Sequence, residues 1–175
     1  MAVPTRPGPA SPVVTPPPGA QIPVLGGRAV PSTELVADYD GCFGCGTGAP
    51  GGLRVRRTGL DGESVLAHFV LTEAHQGAPG LAHGGVLASA MDEALGTAAW
   101  LLGHRYVTGR LETDFIAPVP VGSVVHLRAW CNGVDGRKAY LEGEARIGAP
   151  DGPVAVRAAA LFIEVPEEHF ERGES

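Results

Sequence analysis

Apolar residues recur at intervals of three and four over about 84–102, where Leu87, Met91, Ala94, Leu95, Ala98 and Leu102 repeat at helical spacing. The other faces of this stretch are also mostly small or apolar, so the helix is expected to be buried nearly all round. Gly103 fits as its C-terminal stop. Before it, residues 53–58 and 63–70 look like two strands joined by a turn at Asp61-Gly62, followed by a Gly- and Pro-containing loop over 71–83. Four further strand-like segments lie at about 106–116, 122–133, 138–148 and 154–165, separated by turn residues at Pro118 to Gly122, Gly133 to Gly136 and Gly148 to Gly152. Alternation is clearest over 139–147, where Tyr140, Glu142, Glu144 and Arg146 oppose Leu141, Gly143, Ala145 and Ile147. Residues 166–172 allow a short terminal helix. The order of strand, strand, long helix and four strands points to antiparallel pairing and an α+β fold, with the sheet wrapped around one long buried helix.

Composition divides the chain. Residues 1–31 hold nine of the sixteen prolines and no acidic residue. Proline removes donors and fixes φ, so residues 1–33 are expected to form a disordered or extended tail and 34–175 the folded domain. A targeting peptide is disfavoured, because proline this dense opposes an amphipathic helix. The 175 residues suit one domain with a sizeable core. A formal charge of −6 without any basic block argues against nucleic acid as a partner. No apolar run reaches the roughly 18 residues of a membrane span, and the N-terminus lacks an uninterrupted signal core. Three cysteines do not make a disulfide scaffold, which points to a reducing cytoplasm.

The densest chemistry lies in Pro79-Gly80-Leu81-Ala82-His83-Gly84-Gly85 and the helix it opens. The N-terminus of a helix presents unpaired N–H groups and a positive dipole end, suited to negative charge developing on an oxygen. Asp92 stands eight residues beyond Gly84 on the same helix. An oxyanion site and a carboxylate are the minimum equipment for hydrolysing an acyl compound. On a helical wheel Asp92 shares its face with Ala88, Leu95 and Ala99, whereas Glu93 shares the more polar stripe of Ser89 and Thr97. A carboxylate in apolar company is costly to bury, which singles out Asp92 over Glu93. The bland alternatives are a solvated helix carboxylate and a glycine turn in which His83 only caps or packs.

Beyond His83-Gly84-Gly85 and Asp92, the chain carries Cys42-Phe43-Gly44-Cys45-Gly46, Gly51-Gly52-Leu53, Arg110-Leu111-Glu112-Thr113-Asp114-Phe115, Pro118-Val119-Pro120-Val121-Gly122 and Gly136-Arg137-Lys138. From about residue 40 to 165 this set resembles the hot-dog-fold acyl-CoA thioesterases of the PaaI-like group. The resemblance implies a sheet wrapped around a long helix, and homodimers with two shared sites at the subunit interface, often paired into homotetramers. It implies an acyl-CoA substrate, no separate cofactor and no metal. By position it makes Asp92 the catalytic acid, as general base or as nucleophile. It makes the N–H of Gly84, with Gly85, the oxyanion donor and His83 the residue that shapes the turn. Thr108, sixteen residues after Asp92, matches a Ser or Thr that holds the attacking water from the partner subunit; otherwise it is an ordinary strand Thr. Several relatives place an Asn where this chain has Gly77, and the neighbouring Gln76 is the amide that could replace it.

Cys42-x-x-Cys45 invites a zinc or redox reading. A structural zinc site needs four ligands and there is no second Cys pair, so the segment is expected to be a tight turn packing beside the acyl or pantetheine tunnel. Arg105, Arg110, Arg137 and Lys138 are the basic residues nearest the expected site, available to the nucleotide end of coenzyme A or simply solvated. His68, His75, His104, His126 and His169 are spread along the chain as surface or packing residues. Two rival functions remain open: a hydratase or dehydratase on the same fold, which generally pairs a catalytic His with a carboxylate, and a non-catalytic acyl-CoA-binding protein.

Overall fold

A computed structural model of the chain describes residues 9–24 and 39–171. Within it the helical repeat becomes α1 (Gly84–Trp100), and the alternating segments become β1 (Arg56–Asp61), β2 (Ser64–Val70), β3 (Tyr106–Phe115), β4 (Val124–Asp135), β5 (Lys138–Ile147) and β6 (Val154–Glu164). A short α2 (Glu168–Glu171) follows. The six strands form one antiparallel sheet in the order β1-β2-β4-β5-β6-β3, with α1 packed on one face. The expected α+β, hot-dog architecture is therefore the observed one. The β4–β5 hairpin turns on Gly136-Arg137, with Gly136 at φ 56°, a conformation glycine adopts at no steric cost.

Side chains of odd number on β4 and β5 and of even number on β6 face α1, among them Leu127, Ala129, Leu141, Val156 and Ala160, all buried. From the helix, Met91 and Leu95 are both 0% exposed. Burial of each contributes about 1.5–3 kcal/mol. The helix lies close because the sheet has a hole to receive it. A Cβ on Gly143 would stand 2.9 Å from Met91 Cε, 3.4 Å from Leu95 Cδ2 and 2.8 Å from Arg128 O. After Trp100 the helix tightens through Leu102 N–H to Ala99 O and Gly103 N–H to Trp100 O, and Gly103 ends it at φ 93°.

The opposite face of the sheet carries part of the Pro-rich stretch. A 3-10 turn, Pro12–Val14, lies against β3 and β6 and buries Val14, 2% exposed. The N–H and hydroxyl of Ser11 both donate to the Glu112 carboxylate. At the other end Gln21 pairs with Val134 through two backbone hydrogen bonds of 2.9 and 2.7 Å. Of the two expected forms, disordered or extended, residues 9–24 take an extended one, laid across the domain as a docked strap. Proline forbids them a ladder of their own, but one apolar side chain and a few hydrogen bonds suffice to seat them. The remainder of the expected tail, 1–8 and 25–33, lies outside the described residues.

Candidate active site

The start of α1 is fixed before the helix begins. Ala82 N–H donates to Val119 O and His83 N–H to His75 O, both at 2.9 Å, which ties the entering loop to its neighbours. His83 is the N-cap: its Nδ1 accepts the N–H of Gly85 at 2.9 Å. His83 thereby holds the first turn of the helix. The same bond consumes the N–H of Gly85, so Gly85 is not a free oxyanion donor in this geometry. The N–H of Gly84 has no partner among the described residues. The ring of Phe115, itself 51% exposed, stands 3.5 Å from where a Gly84 side chain would begin.

Gly77, where the resemblance implied an amide, packs closely on the helix start. A Cβ there would stand 2.9 Å from His83 Cα, so in this geometry any larger residue would shift the loop or the helix start. Gln76 is engaged elsewhere: its Oε1 accepts the N–H of Gly80 at 2.7 Å, holding the 76–80 turn.

Two helical turns beyond Gly84, Asp92 is half-buried and lines two cavities. One, of about 470 Å³, is bounded by Tyr39, Trp100, Arg105, Tyr106, Thr108 and Phe162 among others. The second, of about 420 Å³, is bounded by Phe43, Ala88, Ser89 and Leu111. Thr108 Oγ1 donates to Asp92 Oδ1 at 2.7 Å within the same chain. Within one chain, then, Thr108 already stands against the Asp92 carboxylate. The edge strand β3 runs beside α1, and the bulge at Gly109 shifts its register between Thr108 and Arg110. Burial raises the pKa of Asp92 above the ordinary carboxylate value; the Thr108 hydrogen bond works against that rise, and the Glu93 charge adds to it.

Glu93 is not the solvated residue that a helical wheel suggests. The loop over residues 40–52 covers it, and its carboxylate pairs with Arg57 at 2.9 Å, the two side chains 14% and 15% exposed. Cys42 and Cys45 lie beside it, and both line the larger cavity. The expected tight turn is there, with Gly46 N–H donating to Cys42 O at 2.8 Å. Burial, with Glu93 close by, pushes the Cys45 thiol pKa strongly upward. A helical wheel cannot show a covering loop; the glycines at 44 and 46 were the available signal that some backbone comes close here.

The basic residues divide. Arg105 lines the larger cavity and lies 4.6 Å over the Trp100 ring. Arg110 pairs with Glu112, Arg137 donates to Glu164 O, and Lys138 is exposed, so none of these three borders the cavities at Asp92. No helix among the described residues is long and apolar enough to cross a membrane.

Comparison with known proteins reaches the same region. The sequence model of the thioesterase superfamily matches residues 79–152, from the loop before α1 to the end of β5 and the turn beyond it. Acyl-coenzyme A thioesterase THEM4 of Bos taurus is 36% identical over 93 residues, covering 53% of this chain and 38% of that protein. The chain thus spans about two fifths of the length of that curated relative. Among solved structures, a thioesterase superfamily protein is 31% identical, covers 78% of this chain and 69% of its own, and superposes with a TM-score of 0.66. The PaaI protein of the E. coli phenylacetic acid degradation operon shares the fold at 17% identity, with a TM-score of 0.60 over 65% of this chain and 81% of its own. A hypothetical thioesterase of Streptococcus pneumoniae, solved with coenzyme A, shares it at 15% identity, with a TM-score of 0.58 over 63% of this chain and 85% of its own. The superfamily's sequence model falls on the very loop, helix and strands that frame Asp92, and the chain aligns at 31% identity over 69% of a solved member, so this chain belongs to the thioesterase superfamily.

Proposed function

We propose that the chain hydrolyses acyl-CoA thioesters to a carboxylic acid and free coenzyme A, with Asp92 as general base. The observation that carries the reading is the half-buried Asp92 carboxylate at the mouth of two cavities, one oxygen held by Thr108. That bond fixes the carboxylate and leaves its second oxygen for a water molecule. Asp92 takes a proton as the water oxygen attacks the thioester carbon, and the carbonyl oxygen gains the negative charge. A free N–H at the start of α1, that of Gly84, suits that charge. Collapse breaks the carbon–sulfur bond, and the departing thiolate takes up the proton. Burial supports the base role, since a carboxylate pKa raised toward neutrality accepts a proton more readily.

One chain does not complete this site. Gly84 and Asp92 are eight residues apart, which is about 12 Å of helix, whereas a donor about 3 Å from the carbonyl oxygen and a base about 3 Å from the attacking water stand less than about 10 Å apart. The reading therefore takes the oxyanion donor from one copy and the base from another, in a homodimer or a dimer of dimers with shared sites. The partly exposed apolar side chains beside α1, Phe43 and Phe115, suit such a contact. Support for coenzyme A comes from the acyl-coenzyme A thioesterase relative and from the streptococcal neighbour.

The test is release of free thiol across a panel of short, long and aryl acyl-CoAs, with enoyl-CoA hydration followed in parallel. Turnover of at least one saturated acyl-CoA supports the reading. Hydration without thiol release would assign a hydratase, and tight binding without either reaction would assign a carrier.

A further inference from the structure

The loop over residues 40–52 brings two thiols to a carboxylate that the proposed hydrolysis does not use. Ligand atoms of Cys42, Cys45 and Glu93 all lie within 4.8 Å of one another. Glycine builds the approach. A Cβ on Gly44 would stand 2.3 Å from Glu93 Oε2, and one on Gly46 would stand 2.1 Å from Asp40 O and 2.7 Å from Cys42 N. A larger residue at 44 would push the Glu93 carboxylate aside, and one at 46 would move the loop itself. The two oxygens of Glu93 are divided between tasks: Oε1 is held by Arg57 at 2.9 Å, and Oε2 faces Cys42 Sγ at 3.9 Å.

We propose that Cys42, Cys45 and Glu93 form a binding site for a thiophilic divalent cation of the zinc class. Two sulfurs and one carboxylate oxygen are donors that zinc accepts, and three protein ligands leave the fourth tetrahedral position to solvent. Room for that solvent exists, because all three residues line the larger cavity. Hard cations such as magnesium or calcium find one oxygen here where they need several. The charges also balance. Two thiolates neutralise the ion, and Arg57 neutralises Glu93, so no net charge is left in a half-buried place. Arg57 takes the part that second-shell partners play at metal centres, fixing the orientation of a ligand carboxylate. The sequence alone offers only the Cys pair; the third donor arrives from α1 through the fold. On binding, each thiol loses its proton to solvent and forms a sulfur–metal bond, with no change of oxidation state.

The test uses the full chain, reduced and stripped with a chelator, titrated with cobalt(II) alone and then with zinc. The site predicts one cobalt per chain with sulfur-to-cobalt charge-transfer absorption, displaced by zinc and not by magnesium. Cys45→Ser is expected to weaken binding by about 10²-fold or more and Glu93→Gln by about tenfold, while Cys131→Ser leaves the spectrum unchanged. A wild-type chain that gives no charge-transfer band overturns the proposal. So does a band retained in Cys45→Ser or lost in Cys131→Ser. If Cys45→Ser does not fold, the wild-type spectrum and the Glu93→Gln titration still decide. None of these readouts depends on acyl-CoA turnover, so this proposal and the hydrolytic reading fail separately.

Discussion

The division of one site between two copies can be tested by making two variants that are each inactive and combining them. Gly84→Pro removes only the N–H proposed to hold the oxyanion. Proline is tolerated at the first helical position, where it gives up a donor that the helix itself does not use. His83 already has the extended backbone that precedes a proline, at φ −69° and ψ 135°. The nearest atom to a Cβ at this position is a Phe115 ring carbon at 3.5 Å, an ordinary contact. Loss of one such donor is expected to lower kcat by about 10²–10³-fold. Asp92→Asn keeps the shape of the side chain and an oxygen to accept the Thr108 hydroxyl, and removes the base, for a loss of about 10²-fold or more. In a mixed dimer, the site that joins Gly84 of the Asp92→Asn copy to Asp92 of the Gly84→Pro copy is intact, and the other site is doubly defective. Random pairing makes half the dimers mixed, with one good site in each, so about one quarter of wild-type turnover should return in a symmetric dimer. The assay is thiol release from the two variants co-refolded in equal amounts, set against each refolded alone. Recovery of no more than the mean of the two single variants would refute the shared site, because a chain that uses its own Gly84 and its own Asp92 cannot be complemented.

Asp92 should also cost the fold stability. Burial raises its folded-state pKa, so the native state binds that proton more tightly than the unfolded chain, and stability falls as pH rises from the unfolded value through the raised one. Asp92→Asn is therefore expected to have a Tm equal to or above that of wild type at neutral pH and no advantage in acid; a lower Tm at neutral pH would contradict this. Thr108→Val deletes the hydrogen bond that favours the ionised carboxylate. In the chelator-treated protein the acid limb of kcat/KM should then move to higher pH, and an unmoved limb would show that Thr108 does not act on the base. Gly77→Ala puts a Cβ 2.9 Å from His83 Cα and should displace the helix start, lowering kcat/KM by about tenfold or more with little loss of helix by circular dichroism. Gly143→Ala drives a methyl between Met91 and Leu95 and should destabilise the domain by about 1–3 kcal/mol, read from urea unfolding.

The parts of this molecule that follow from periodicity were legible before any coordinates. The repeat from Leu87 to Leu102 located α1, and the alternation in 139–147 located β5, because each pattern records which side of one element is buried. Two features escaped because they depend on what lies over an element. Glu93 sits on the polar side of the helical wheel, yet the loop over 40–52 closes over it and Arg57 pairs with it. The stretch 9–24 has the composition of a free tail, yet a single buried valine and the Ser11–Glu112 bonds hold it on the sheet. Neither loop cover nor docking has a period. The relation between Gly84 and Asp92 is different in kind. Their spacing is fixed by sequence number and helical rise, about 12 Å, whereas a donor about 3 Å from a thioester's carbonyl oxygen and a base about 3 Å from the attacking water stand less than about 10 Å apart. The proposed chemistry therefore fits a site assembled from two helices better than one made by a single helix. Under the proposed hydrolysis, a turn that opens a helix and a carboxylate eight residues along it call for a second copy: the helix of each chain would supply one end of a site whose other end belongs to its partner.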